Sequence, residues 1–310
     1  MVQKKVQSCV NNMDGLVFTK EFVSKFRSVL IKMYSYESYM DFLVVPSVTG
    51  AKTLSYIPLI SYTDRNSENI EDLLELSREN NFQIKVLNFD YIDFKKNDTV
   101  TMRIDVENRT CEEILMDIKA KYRKVIRNSI KKNDFIFKFG NEKKLIDDFY
   151  LLFKSIVHKH GTPVLDRKLF DILVEEFKEN VVFYNVYDKD CVIAAYCVLI
   201  DEHISYGSWG GIDNRYRDKL VGHFAYWNII KDTCKNRSVK IFDFGRSPYG
   251  SGGYIFKHRF GAKAVKIDIV TSQKSDIYSK YTLASNIWKK LPRNVVDFLG
   301  PKLCRYLVDL

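Results

Sequence analysis

The chain has 310 residues, 46% hydrophobic and 28% charged, an ordinary globular composition with enough apolar mass for one large domain or two smaller ones. Its net charge of +10 favours anionic partners, whether phosphates, nucleic acid or an acidic membrane surface, and does not choose among them. Six cysteines without a C-x-x-C pair, behind no secretory signal, read as reduced thiols in a cytoplasmic protein, and no apolar run approaches the length of a membrane span.

DFLVVPSV at 41–48 and TLSYIPLISY at 53–62 are rich in β-branched and aromatic residues and predict strands. NIEDLLELSRENN at 69–81 places Ile70, Leu73, Leu74 and Leu76 on helical spacing. FQIKVLNFD at 82–90 and TVTMRIDV at 99–106 predict two more strands. A basic helix is expected over 112–133, where Ile114, Leu115, Ile118, Tyr122, Val125, Ile126 and Ile130 recur with helical periodicity. Its other faces carry Lys119, Lys121, Arg123, Lys124, Arg127, Lys131 and Lys132, either a solvated surface or a cationic wall for an anionic ligand.

The second half is cleaner. Apolar stripes predict helices at 143–158 and 166–179. VVFYNVY (181–187), CVIAAYCVLI (191–200) and HISYGSW (203–209) predict strands joined by hairpin turns. GIDNRYRDK leads into a helix at 219–234, followed by a strand IFDF (241–244), a glycine loop, a short helical turn and a strand at 264–270. This order fits an α/β layered domain of the α+β type with a mostly antiparallel sheet, and the absence of strict βαβ alternation argues against a doubly wound nucleotide fold.

Some motifs tempt and fail. Asp243-Phe244-Gly245 spells the kinase metal triplet, but no H-R-D and no early glycine loop accompany it. The glycines before Lys257 do not match a phosphate-binding G-x-x-x-x-G-K-[ST]. His158 and His160 have no third ligand cluster nearby, so a buried or interfacial pair is favoured over a metal site.

The basic KYRKVIRNSIKKNDF, the segment HKHGTPVLDRKLFDIL and the stretch FDFGRSPYGSGGYIFKHRFGA, in this order along the chain, resemble the FemAB-like branch of the GNAT acyltransferase superfamily. The resemblance implies two tandem GNAT-like domains, 1–133 ending in the basic connecting helix and 134–310 holding the catalytic site and an amphipathic C-terminal segment. It implies acyl or aminoacyl transfer to an amine of a nucleotide- or lipid-linked glycan or peptide precursor of the cell envelope, without a metal or a tightly bound cofactor. Lys257, after Phe256, matches the family's Phe-Lys pair and would meet the oxyanion of the tetrahedral intermediate.

Around that lysine, Gly250, Gly252 and Gly253 would let backbone approach a ligand, Tyr254 would contact the donor or acceptor, and Arg246 would hold a phosphate or carboxylate. Tyr206, Ser208 and Trp209 lie on a central strand, with Tyr206 or Ser208 able to relay a proton or hold the acceptor and core packing the alternative for Trp209. Arg215 and Arg217 precede a helix, a common place for donor phosphates, and Arg123 and Arg127 stand a helical turn apart where acceptor phosphates would fit. His160 sits in the matched histidine-glycine-threonine-proline segment and would line the cleft. Arg217 and Gly222 are spaced differently from the usual coenzyme A loop, so the donor stays open between acyl-CoA and aminoacyl-tRNA. The rival readings are a coenzyme A-dependent aminosugar N-acyltransferase and a non-catalytic module that binds an anionic polymer. IWKKLPRNVVDFLGPKLCRYLVDL at the end either docks on the protein body or makes a peripheral contact with the inner face of a membrane.

Overall fold

The computed structural model describes residues 17–39, 42–47, 52–62, 81–236, 238–271 and 284–307. The helix expected at 69–81 lies outside these residues, apart from Asn81. The chain runs α1 (Lys20–Tyr34), β1 (Glu37–Tyr39), β2 (Phe42–Pro46), β3 (Lys52–Ser55), β4 (Asn81–Asn88), β5 (Thr99–Asp105), α2 (Cys111–Asp117) and α3 (Ala120–Lys131). It continues through β6 (Ile136–Gly140), α4 (Lys143–His160), α5 (Arg167–Phe177), β7 (Val181–Asp188), β8 (Cys191–Ile200) and β9 (Ile204–Ile212). Then come α6 (Val221–Asn236), β10 (Ile241–Pro248), α7 (Gly252–His258), β11 (Lys263–Thr271) and α8 (Arg293–Cys304).

All eleven described strands join one sheet in the order β1-β2-β3-β4-β11-β5-β10-β9-β8-β7-β6. The expected mixed, mostly antiparallel sheet is found: only β3–β4 and β9–β10 pair in parallel among the described strands. The two halves of the chain interleave, because β11 from the second half enters between β4 and β5 of the first.

The central strands are apolar along their length because both faces are covered. In β7, Val181 and Phe183 join a core with α1, α4 and α5, while Val182, Tyr184 and Val186 join one with α2, α3 and α6. Gly210 shows how tightly β9 sits on β8. A Cβ there would lie 2.2 Å from the Ala195 carbonyl oxygen, and φ of +145° disfavours any side chain. Gly210→Ala is expected to cost about 1–3 kcal/mol, read as a lower denaturation midpoint with an unchanged slope; an unchanged midpoint would refute the close packing.

Two expectations shift. The basic helix is two helices, broken where Ile118 turns extended (ψ 134°) and is buried, so core burial overrides helix propagation. A capping box between Thr110 and Glu113 starts the first helix. The strand expected at 53–62 ends at Ser55, after which Leu59 at φ +67° turns the chain so that residues 59–61 face the second half of the chain.

Candidate active site

Parallel strands β9 and β10 pair only through Ile204–Tyr206 and Ile241–Asp243. Beyond that point they part, β9 staying with β8 and β10 staying with β5. Each strand bulges where it leaves the other: Ser208 is skipped between Gly207 and Trp209, and Phe244 and Gly245 between Asp243 and Arg246. The opened wedge is a cleft of about 580 Å³. The two strands form no ladder pairs beyond Tyr206 and Asp243, so backbone groups on the cleft walls can serve a ligand.

Helix α7 delivers Lys257 to this wedge. Ser251 caps it, its Oγ accepting from the Tyr254 N–H at 3.2 Å. Lys257 Nζ then donates to the carbonyls of Gly245 and Arg246, each at 2.9 Å. An ammonium has three donors, so one remains for the cleft. Burial pushes the Lys257 ammonium down to about 8, with Asp243 pulling it up and Arg246 pushing it further down.

Beneath Lys257 lies a buried polar cluster. Asp243, fully buried, accepts from Tyr62 Oη (2.7 Å), Thr101 Oγ1 (2.6 Å), Arg103 Nε (2.9 Å) and the Gly245 N–H (2.7 Å). Arg103 is fully buried as well and lies over the Tyr62 ring at 4.8 Å. Gly245 is held at φ +74°, and a Cβ there would come within 2.7 Å of the Gly207 oxygen, so only glycine fits between the parting strands. The Asp243 carboxylate thus fixes the bulge whose carbonyls grip Lys257.

Most of the residues singled out in the sequence meet here. Lys257, Phe256, Tyr206, Ser208, Trp209, Arg217, Arg246, Gly252, Gly253 and His160 all line the cleft. Tyr206 is buried, donates to Ser61 Oγ at 2.6 Å, and its hydroxyl is pushed up to about 12 by burial. Ser208 Oγ is buried without a hydrogen-bond partner. Phe256 packs against His223, Tyr226 and Phe260.

Others lie elsewhere. Gly250 is in the turn before α7, and Tyr254 packs between Tyr249 and His258. Arg215 pairs with Asp213 (Nε to Oδ2, 2.9 Å) rather than facing the cleft. Arg123 donates to the Met116 and Ile118 carbonyls and so closes the end of α2, while Arg127 faces Glu112 at 3.8 Å. Both arginines border a separate groove along α3. Sequence reasoning missed the Asp243–Arg103 cluster and the wall formed by Leu59, Ile60 and Ser61. The signal for the cluster was a charged residue at an inward strand position in IFDF and again in TVTMRIDV.

The GNAT acetyltransferase domain family matches residues 119–258, the segment that builds both walls of the wedge and Lys257. That segment is similar to a GNAT acetyltransferase domain. The fold of the chain extends beyond that segment and is similar to that of FemX, with 13% identity and a TM-score of 0.56 over 87% of this chain and 94% of that one. The protein named as a lysylphosphatidylglycerol synthetase in Agrobacterium fabrum is similar through its C-terminal domain, with 10% identity and a TM-score of 0.53 over 86% of this chain and 96% of that one. L-PGS from Bacillus licheniformis follows with 9% identity and a TM-score of 0.50 over 90% and 99%. These structures bear out the FemAB-like resemblance at the level of fold. No curated protein matches the sequence. No helix among the described residues is long and apolar enough to cross a membrane.

Proposed function

We propose that this GNAT protein is an N-acyltransferase that moves an acyl or aminoacyl group onto an amine of a cell-envelope glycan or peptide precursor. The observation that carries this reading is Lys257, poised at the bulged opening between β9 and β10. The acceptor amine attacks the donor carbonyl, forming a C–N bond while the carbonyl electrons move to oxygen. The remaining Lys257 N–H meets that oxyanion, and collapse expels the donor sulfur or oxygen. Tyr206 keeps its proton at neutral pH, so with Ser61 it supplies a hydroxyl pair that can hand a proton to the leaving group and take up in its place the one shed by the attacking nitrogen. FemX and the lysylphosphatidylglycerol synthetase support an envelope acceptor through their names and shared fold.

The donor end is drawn by α6. Asn214, Arg217 and Gly222 line the cleft at its N-terminus, where the positive end of the helix dipole favours phosphate. This placement suits the phosphates of an acyl-CoA donor, despite the irregular spacing of Arg217 and Gly222. Titration of the purified protein with acyl-CoA and with charged tRNA separates the two. Saturable acyl-CoA binding that weakens about tenfold in Arg217→Ala is expected. Binding of charged tRNA alone would reject the coenzyme A reading, and binding of neither with no acyl transfer would reject the enzyme.

A further inference from the structure

The C-terminal arm presents two different faces. Trp288, Val296, Gly300 and Cys304 are buried and tie it to the body. The ion pair of Lys154 with Asp297 at 2.7 Å fastens α8 to α4. Phe298 stands two residues past Val296 and therefore faces away from the body. It is 62% exposed, Ile287 is 57% exposed and Leu151 of α4 is 55% exposed. Leu151 lies one helical turn before Lys154 and Phe298 follows Asp297, so the two apolar side chains flank the ion pair that joins the helices.

Cations accompany this apolar face. Lys289, Lys290, Arg293 and Lys302 are exposed, and none has a carboxylate partner among the described residues. Lys302 lays its ammonium 3.7 Å from the centre of the Phe298 ring. The one acidic residue in 284–307 is Asp297, which Lys154 already neutralises. Large apolar side chains mixed with uncompensated lysines and arginines match a bilayer with anionic headgroups: the rings and aliphatic groups enter the headgroup layer while the cations meet phosphates.

The arm also adjoins the cleft. Ser285 Oγ donates to the His160 carbonyl at 3.2 Å, and Lys289 packs close over Gly161, while Lys159 and His160 line the cleft itself. We propose that residues 284–305 form a docking surface for an anionic lipid bilayer and hold the cleft mouth at headgroup level. The docking is independent of the chemistry; its use, presenting a membrane-anchored acceptor, rests on the function proposed above.

The test is sedimentation of the full chain with vesicles of phosphatidylcholine alone or with about 30% phosphatidylglycerol. The full chain is expected to sediment with the anionic vesicles only, and less as salt rises. Phe298→Ser and the pair Lys289→Glu with Lys302→Glu are each expected to weaken binding at least about fivefold. Lys124→Glu with Lys131→Glu on α3 is expected to leave most of it. All three variants change exposed side chains, and a thermal melt checks that they fold. Absence of sedimentation, equal sedimentation with neutral vesicles, or loss of binding in the α3 variant but not in the C-terminal ones would overturn the proposal. None of these readouts needs acyl transfer, so a wrong acceptor would leave them unchanged.

Discussion

Lys257→Ala is expected to lower kcat for acyl transfer about 100- to 1,000-fold while donor binding changes little. The reason is differential binding: the ammonium meets a full charge in the tetrahedral intermediate and only a dipole in the bound donor. The two carbonyls that hold Nζ at 2.9 Å prevent it from swinging away, so little reorganisation is needed when charge develops. Full activity in a folded Lys257→Ala protein would remove the lysine from the mechanism. The pH profile offers a second check. With its ammonium pushed down to about 8, Lys257 is mostly charged at pH 7 and loses its proton as pH rises through that value. A falling alkaline limb near pH 8 is therefore expected in kcat. In Lys257→Arg, whose guanidinium stays protonated, any remaining activity should keep rising as the acceptor amine deprotonates.

Much of this site was legible in one dimension because its parts are local in sequence. Residues 204–212, 217–222 and 241–257 supply most of the cleft wall, and each is a strand end, a helix start or a glycine turn with its own composition. Lys257 was singled out by its resemblance to the family's Phe-Lys pair, and the structure sets it on a short helix directly after the glycine turn, with Nζ on the Gly245 and Arg246 carbonyls. Arg123 and Arg127 misled for a physical reason. A helical turn predicts which residues share a face, but not whether that face meets the cleft, the end of the preceding helix or solvent. The wall formed by Leu59 to Ser61 was illegible because it depends on a turn at positive φ by a leucine, which no propensity foretells. The Asp243–Arg103 pair spans a separation of 140 residues, and its partners become neighbours only when β5 pairs with β10.

That pair carries the largest stability expectation. Asp243→Ala would strand the buried Arg103 cation and withdraw the acceptor used by Tyr62, Thr101 and the Gly245 N–H. Breaking a buried pair from one side costs about 3–5 kcal/mol, against about 5–15 kcal/mol for a whole domain, so much of the protein is expected to be unfolded or insoluble. Asp243→Asn keeps an oxygen for the Gly245 N–H and should cost less, which makes it the variant that reports on chemistry. Because the Asp243 charge raises the Lys257 pKa, its removal is expected to move the alkaline limb of kcat to lower pH. A limb that stays in place in a folded Asp243→Asn protein would show that the carboxylate shapes the bulge without tuning the lysine. The double change Asp243→Asn with Arg103→Met should be less destabilising than the two single changes added together, since neither charge is then left alone. Strict additivity in that cycle would mean that the two side chains are not coupled, and the bulge under Lys257 would need another anchor.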